Sequence, residues 1–177
     1  MYYLGGFSFM NKIRDMRTEA IRRGGATVAY IGDIKEEESI FISYFRTYCD
    51  GYESRIKLEE VFLSTFGIEE GYSSLDALER FCELIFKKGR RRLVRHDLSC
   101  ECVGADENCL CQLIFSACED NLEDAKLISM LITDAYLSEE LTMLARKIGM
   151  AIRRHIERRE KTKCINRSWV KEFVQVN

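Results

Sequence analysis

His96-Asp-Leu-Ser-Cys100-Glu-Cys102-Val-Gly104-Ala-Asp106-Glu107-Asn-Cys109-Leu-Cys111 is the stretch that decides how the rest of the chain reads. It holds four of the eight cysteines and one of the two histidines. Gly104 breaks it, and it lacks the apolar periodicity of the segments on either side. Upstream and downstream the pattern is amphipathic helix. The part of it around Cys100, Cys102 and Gly104 is therefore irregular backbone set between helices.

Upstream, apolar Phe9, Ile13, Met16, Ala20 and Ile21 predict a helix over 8–23, ended by Gly24-Gly25. Ala26-Thr-Val-Ala-Tyr-Ile31 is apolar and partly β-branched but has no evident partner strand, so it reads as an extended linker. Glu36-Glu37-Glu38 suits the first turn of a helix, where carboxylates meet the positive end of the dipole. That helix carries Ile40, Phe41, Tyr44, Phe45, Tyr48 and Cys49 on one side and stops near Gly51. The next covers 53–66 with Ile56, Val61, Phe62 and Phe66 inward. Ser73-Ser74 opens another, striped by Leu75, Leu78, Phe81, Cys82 and Ile85. The aromatic residues of 41–66 suit an ordinary core first, and a groove or dimer face second.

Downstream, Asp106 can cap a helix over 107–119, a further helix covers 122–133, and a long one runs from Ser138 to about Glu160. The tail around Trp169 suggests a short terminal helix. No fixed-period repeat or dividing linker appears. The expectation is an all-α, single-domain bundle of about seven helices with one cysteine-containing loop. It spans 1–177, with 1–7 outside the ordered part and 161–177 as a C-terminal tail.

Composition agrees. The chain of 177 residues can bury a core without covalent staples, and it contains no proline. Apolar residues make up 46% and charged residues 32%, and the formal net charge is −2, which argues against a dedicated nucleic-acid binder. The opening MYYLGGFSFM lacks a basic leader and a cleavage site, and no run reaches the ~18–20 apolar residues a bilayer span needs. These features predict a cytoplasmic protein, where cysteines serve as thiols or metal ligands more often than as disulfides.

Zinc takes four tetrahedral ligands drawn from thiolate and imidazole. Cys100 and Cys102, on irregular backbone four and six residues after His96, can turn toward one point, and Cys109 is the candidate fourth ligand. Cys111 is not, because residues two apart on a helix point roughly 200° apart. It shares a face with Ile114, Phe115 and Cys118, the pattern of a core stripe. The Cys-x-Cys spacing differs from the Cys-x2-Cys of common zinc modules. An iron–sulfur cluster on all four cysteines would require the helix to start beyond Cys111. A redox dithiol at Cys100/Cys102, its thiol acidity raised by Arg95 and His96, fits the same residues. So does a loop with incidental thiols.

The string Arg95-His96-x3-Cys100-x-Cys102-x-Gly104-x-Asp106-Glu107 resembles short, mostly helical bacterial proteins of the alphaproteobacteria with no assigned activity. The resemblance covers about 90–155. It implies a helical fold, and it implies small apolar residues where this chain has Cys109 and Cys111. In that case His96, Cys100, Cys102 and a carboxylate, Asp106 or Glu107, are the constellation that remains.

Two basic segments complete the inventory: Lys87 to Arg95, and Arg146, Lys147, Arg153, Arg154, Arg158, Arg159 and Lys161 on the last helix. They suit phosphate contacts, or a solvated helix face. Nucleic-acid binding through Arg90–Arg92 and the last helix is thus a third reading, without any accompanying recognition motif. His155 borders the last helix's apolar stripe and reads as a surface residue. Nucleotide-binding, hydrolase and metalloprotease signatures are missing. The sequence as a whole points to an interaction or regulatory module with a protein partner.

Overall fold

The computed structural model describes residues 22–119 and 121–175, with side chains to Lys161. Residues 22–24 are helical; the remainder of the helix expected over 8–23, and residues 1–7, lie outside the described part. From there the order is β1 (Thr27–Tyr30), α1 (Glu36–Cys49), α2 (Tyr52–Phe66), α3 (Ile68–Lys88), β2 (Cys102–Gly104), α4 (Ala105–Ser116), α5 (Leu122–Ile132), a 3-10 turn (Ala135–Leu137) and α6 (Ser138–Gln175). The bundle is helical, with one small antiparallel sheet.

The core follows the apolar stripes. Phe41 and Phe45 of α1 meet Leu78 and Phe81 of α3, Leu113 and Ile114 of α4, and Leu141, Ala145, Ile148 and Ile152 of α6, all buried in one cluster. Helix α3 packs on α2 and α6, while α4 packs on α5 and α6. Most aromatics of α1 and α2 pack into or against this core, with Tyr52 exposed: Tyr44 lies 4.7 Å from Phe62, and Phe62 lies 5.2 Å from Phe66.

Four expectations need correction. The segment 26–31 is a strand, not a linker: Thr27 pairs with Gly104, Ala29 with Val103 and Tyr30 with Cys102. In α2 the inward stripe is Leu58, Phe62 and Phe66 at i, i+4, i+8, which leaves Ile56 and Val61 exposed on other faces. Helix α3 starts at Ile68 rather than at the cap-like Ser73-Ser74, and Ser74 is buried inside it. Helix α6 runs unbroken to Gln175, so the backbone around Trp169 continues the long helix rather than forming a short one. Among the described residues, no helix is long and apolar enough to cross a membrane.

Candidate metal and thiol site

The loop between α3 and α4 takes its shape from a buried ion pair that the sequence reading missed. Arg46 of α1 is 2% exposed and donates from Nε and Nη2 to the two carboxylate oxygens of Glu107, each at 2.7 Å. Its remaining N–H groups reach the carbonyls of Asp97 (3.2 Å), Cys100 (2.6 Å) and Cys102 (2.7 Å). A guanidinium presents its donors in a fixed fork, so one side chain dictates where three carbonyls of the loop must lie. Glu107 closes the frame by accepting from the backbone N–H of His96 (3.1 Å) and of Gly104 (2.9 Å). Burial alone would push the Glu107 carboxyl up. The bonds from Arg46, Gly104 and His96 outweigh burial and hold it below the usual carboxylate range.

Asp106, beside it, binds the forked guanidinium of Arg91 and accepts from Val94 N–H at 2.8 Å. Arg95 donates to the carbonyls of His96 (3.1 Å) and Cys49 (3.3 Å). The first half of the loop is thereby tied to two helices, through Arg95 to the end of α1 and through Arg91 to the first turn of α4.

Within this frame the His96 ring is oriented from both sides. Nε2 lies 2.9 Å from the carbonyl of Gly25. A carbonyl only accepts, so Nε2 carries the proton, and in the neutral ring Nδ1 is left with a lone pair. Nδ1 faces the sulfurs: Cys102 Sγ at 2.7 Å and Cys100 Sγ at 3.5 Å. The ligand atoms of His96, Cys100 and Cys102 lie within 4.8 Å of one another and form a group able to hold a metal ion. Cys100 and Cys102 are also joined as a disulfide. Gly104 makes room for the ring, since a Cβ there would sit 3.1 Å from both Cδ2 and Nε2 of His96.

Cys109, expected as a fourth ligand, is not in this group. It sits two residues after Glu107 on α4, so its side chain points about 200° around the helix from that carboxylate. It packs partly buried against the core. Burial raises its thiol pKa, and the carboxylate of Asp106 raises it further. Cys111 is buried in the core cluster as its stripe predicted. Burial also pushes the thiols of Cys49 and Cys118 up to about 11, and those of Cys82 and Cys111 well above the ordinary range. These five keep their protons at neutral pH, and protonated thiols are poor nucleophiles and poor ligands.

Several residues of the basic segments are engaged within the molecule. Arg153 pairs with Glu37 (2.8 Å) and Glu119 (3.1 Å), and Arg154 and Arg158 pair with Glu70 (2.8 and 2.9 Å). Arg159 pairs with Glu36. Of Arg90–Arg92, Arg90 donates to the Thr133 carbonyl at 2.9 Å and Arg91 holds Asp106. His155 is half-buried, edge-on to Phe66 with ring centres 5.7 Å apart, rather than a free surface group. No protein-family model, curated protein or solved structure matches this chain.

Proposed function

We propose that the protein is a non-enzymatic regulatory or interaction module whose cysteine loop closes on zinc through His96 Nδ1 and the thiolates of Cys100 and Cys102. The observation that carries this reading is the hydrogen bond from His96 Nε2 to the Gly25 carbonyl at 2.9 Å. Metal-binding histidines characteristically donate their second ring N–H to a carbonyl or carboxylate, which fixes the tautomer and aims the other nitrogen at the ion. Two sulfurs and an imidazole are borderline-soft donors suited to zinc rather than to calcium or magnesium. Three protein ligands leave one tetrahedral position, which a water or a side chain of a protein partner completes. The likeness of the Arg95-to-Glu107 string to the short alphaproteobacterial helical proteins supports treating the loop as one unit. A reducing cytoplasmic setting keeps the thiolates available.

The test is elemental analysis of reduced protein dialysed against zinc. One zinc per chain is expected, together with its loss in His96→Ala and in Cys100→Ser, both with undiminished helical circular dichroism. A folded, reduced chain without stoichiometric zinc overturns the reading.

A second reading, a thiol-dependent redox protein, is favoured by the pairing of Cys100 with Cys102. It predicts that thiol titration finds one exposed cysteine of this pair with a pKa well below ~8.5, the ordinary thiol value. Two ordinary thiols there would remove it.

A further inference from the structure

Cys100 and Cys102 are bonded to each other, yet the same two sulfurs belong to the group able to hold an ion. The two uses exclude one another. A metal is held by thiolates, and a disulfide sulfur has no thiolate charge to offer. Building on the zinc reading above, we propose that the loop is a redox-gated zinc site, in which hydrogen peroxide converts the two ligand thiolates to the disulfide and expels the ion.

The electrons and atoms balance as follows. One thiolate attacks the peroxide O–O bond, giving a sulfenic acid and hydroxide. The second thiolate attacks that sulfenic sulfur, forming the S–S bond and releasing a second hydroxide. Two protons from solvent turn the hydroxides to water, so two thiolates lose two electrons and one peroxide gains them. Zinc, left with one imidazole from the protein, departs hydrated. A dithiol reductant reverses the sulfur chemistry by exchange through a mixed disulfide.

The backbone is prepared for both states. The Cα atoms of Cys100 and Cys102 are 5.5 Å apart, inside the range disulfides span. The carbonyls of both residues, and of Asp97, are held by Arg46. The conversion therefore turns two side chains about a fixed main chain, and the sulfenic intermediate finds its partner without refolding. His96 stays seated by its bonds to Gly25 and Glu107 while its sulfur partners change state. Among the described residues, selectivity comes from the other thiols. Cys49, Cys82, Cys109, Cys111 and Cys118 are kept protonated by burial, and peroxide reacts with thiolate.

The experiment uses the full chain, reduced and loaded with zinc, treated with hydrogen peroxide under a chromogenic zinc chelator. The Cys100–Cys102 peptide is followed by mass spectrometry. Zinc release should track formation of that disulfide one for one, and dithiothreitol with added zinc should restore the starting state. Cys109→Ser should behave like the parent. A reduced chain that takes up no zinc overturns the metal reading and the gate with it. A chain that takes up zinc but retains it as the disulfide forms, or loses it without that disulfide, overturns the gate alone.

Discussion

Arg46 is the residue whose loss should damage the loop most. It is buried, it neutralises Glu107, and it satisfies three loop carbonyls. Arg46→Ala leaves a buried carboxylate without its counter-charge, which typically costs about 3–5 kcal/mol. Urea unfolding followed by circular dichroism should show a loss of this size, and a loss under ~1 kcal/mol would mean that the pair does not organise the loop. Glu107 makes the same pair sensitive to acid. Its carboxyl is held low in the folded chain, so its contribution is complete above the unfolded value of about 4.3 and disappears as pH falls through the lower folded value. The urea midpoint should therefore fall on acidification below ~pH 4, and Glu107→Gln should remove that component of the slope. Gly104→Ala tests the ring's seat. A methyl 3.1 Å from the imidazole must displace it, so zinc affinity should drop by roughly 10–100-fold, as for other groups that orient a ligand, while helical content is unchanged. Unaltered affinity by competition titration would show that the ring does not need this space.

At the scale of elements, β1 and β2 behave as one clasp. The strand Thr27–Tyr30 pairs with the cysteine strand, Ala105 N–H bonds the Ala26 carbonyl, Ile31 N–H bonds the Glu101 carbonyl, and His96 adds the bond to Gly25. Asp106 fills the space where a Cβ on Gly24 would stand. His96→Ala removes one of these ties, so hydrogen exchange over 24–31 should quicken while α1, α3 and α6 keep their protection. Equal protection in parent and variant would show that the imidazole does not hold the strand. This clasp also marks where the sequence stopped being legible. The stripes of α1, α3 and α6 were readable because a long helix repeats its apolar contacts every three to four residues. The strand was not, because its partner is three residues long, lies more than seventy positions away, and is hidden in a segment dominated by cysteines. His96, Cys100 and Cys102 do come together, but Cys109 does not, since its helix begins at Ala105 and turns it aside. Arg46 left one trace, an arginine at i+4 from Ile42 and three before Cys49, inside an otherwise apolar stripe. Its partner, sixty-one residues on, is fixed only by the tertiary fold.

At the scale of the whole molecule, the proposed zinc site lies outside the packed core, so an ion there would add to a fold built by the helices. The loop contributes Val103 to the core, whereas Phe41, Phe81, Leu113, Ile114 and Leu141 come from helices that pack on one another. The basic helix α6 is tied to α1 and α3 by Arg153 to Glu37 and by Arg154 and Arg158 to Glu70, not by the loop. The Glu70 pairs are mostly exposed, so breaking them with Glu70→Gln should cost no more than about 1 kcal/mol. Small zinc fingers unfold when their metal is removed because the ion supplies their folding energy. Here chelation should only lower the melting temperature. An ion that binds the folded chain alone stabilises it by about 2.7 kcal/mol when free zinc is ~100 times its Kd. At roughly 2–4 °C per kcal/mol for a domain of about this size, stripping zinc from reduced protein should shift Tm down by about 5–10 °C. The transition should stay cooperative and the pre-transition helical signal unchanged. Collapse of the helical signal on chelation would make the metal a founding element of the fold. An unmoved Tm, with zinc known to be bound beforehand, would place the ion on a loop whose closure is energetically separate from the bundle.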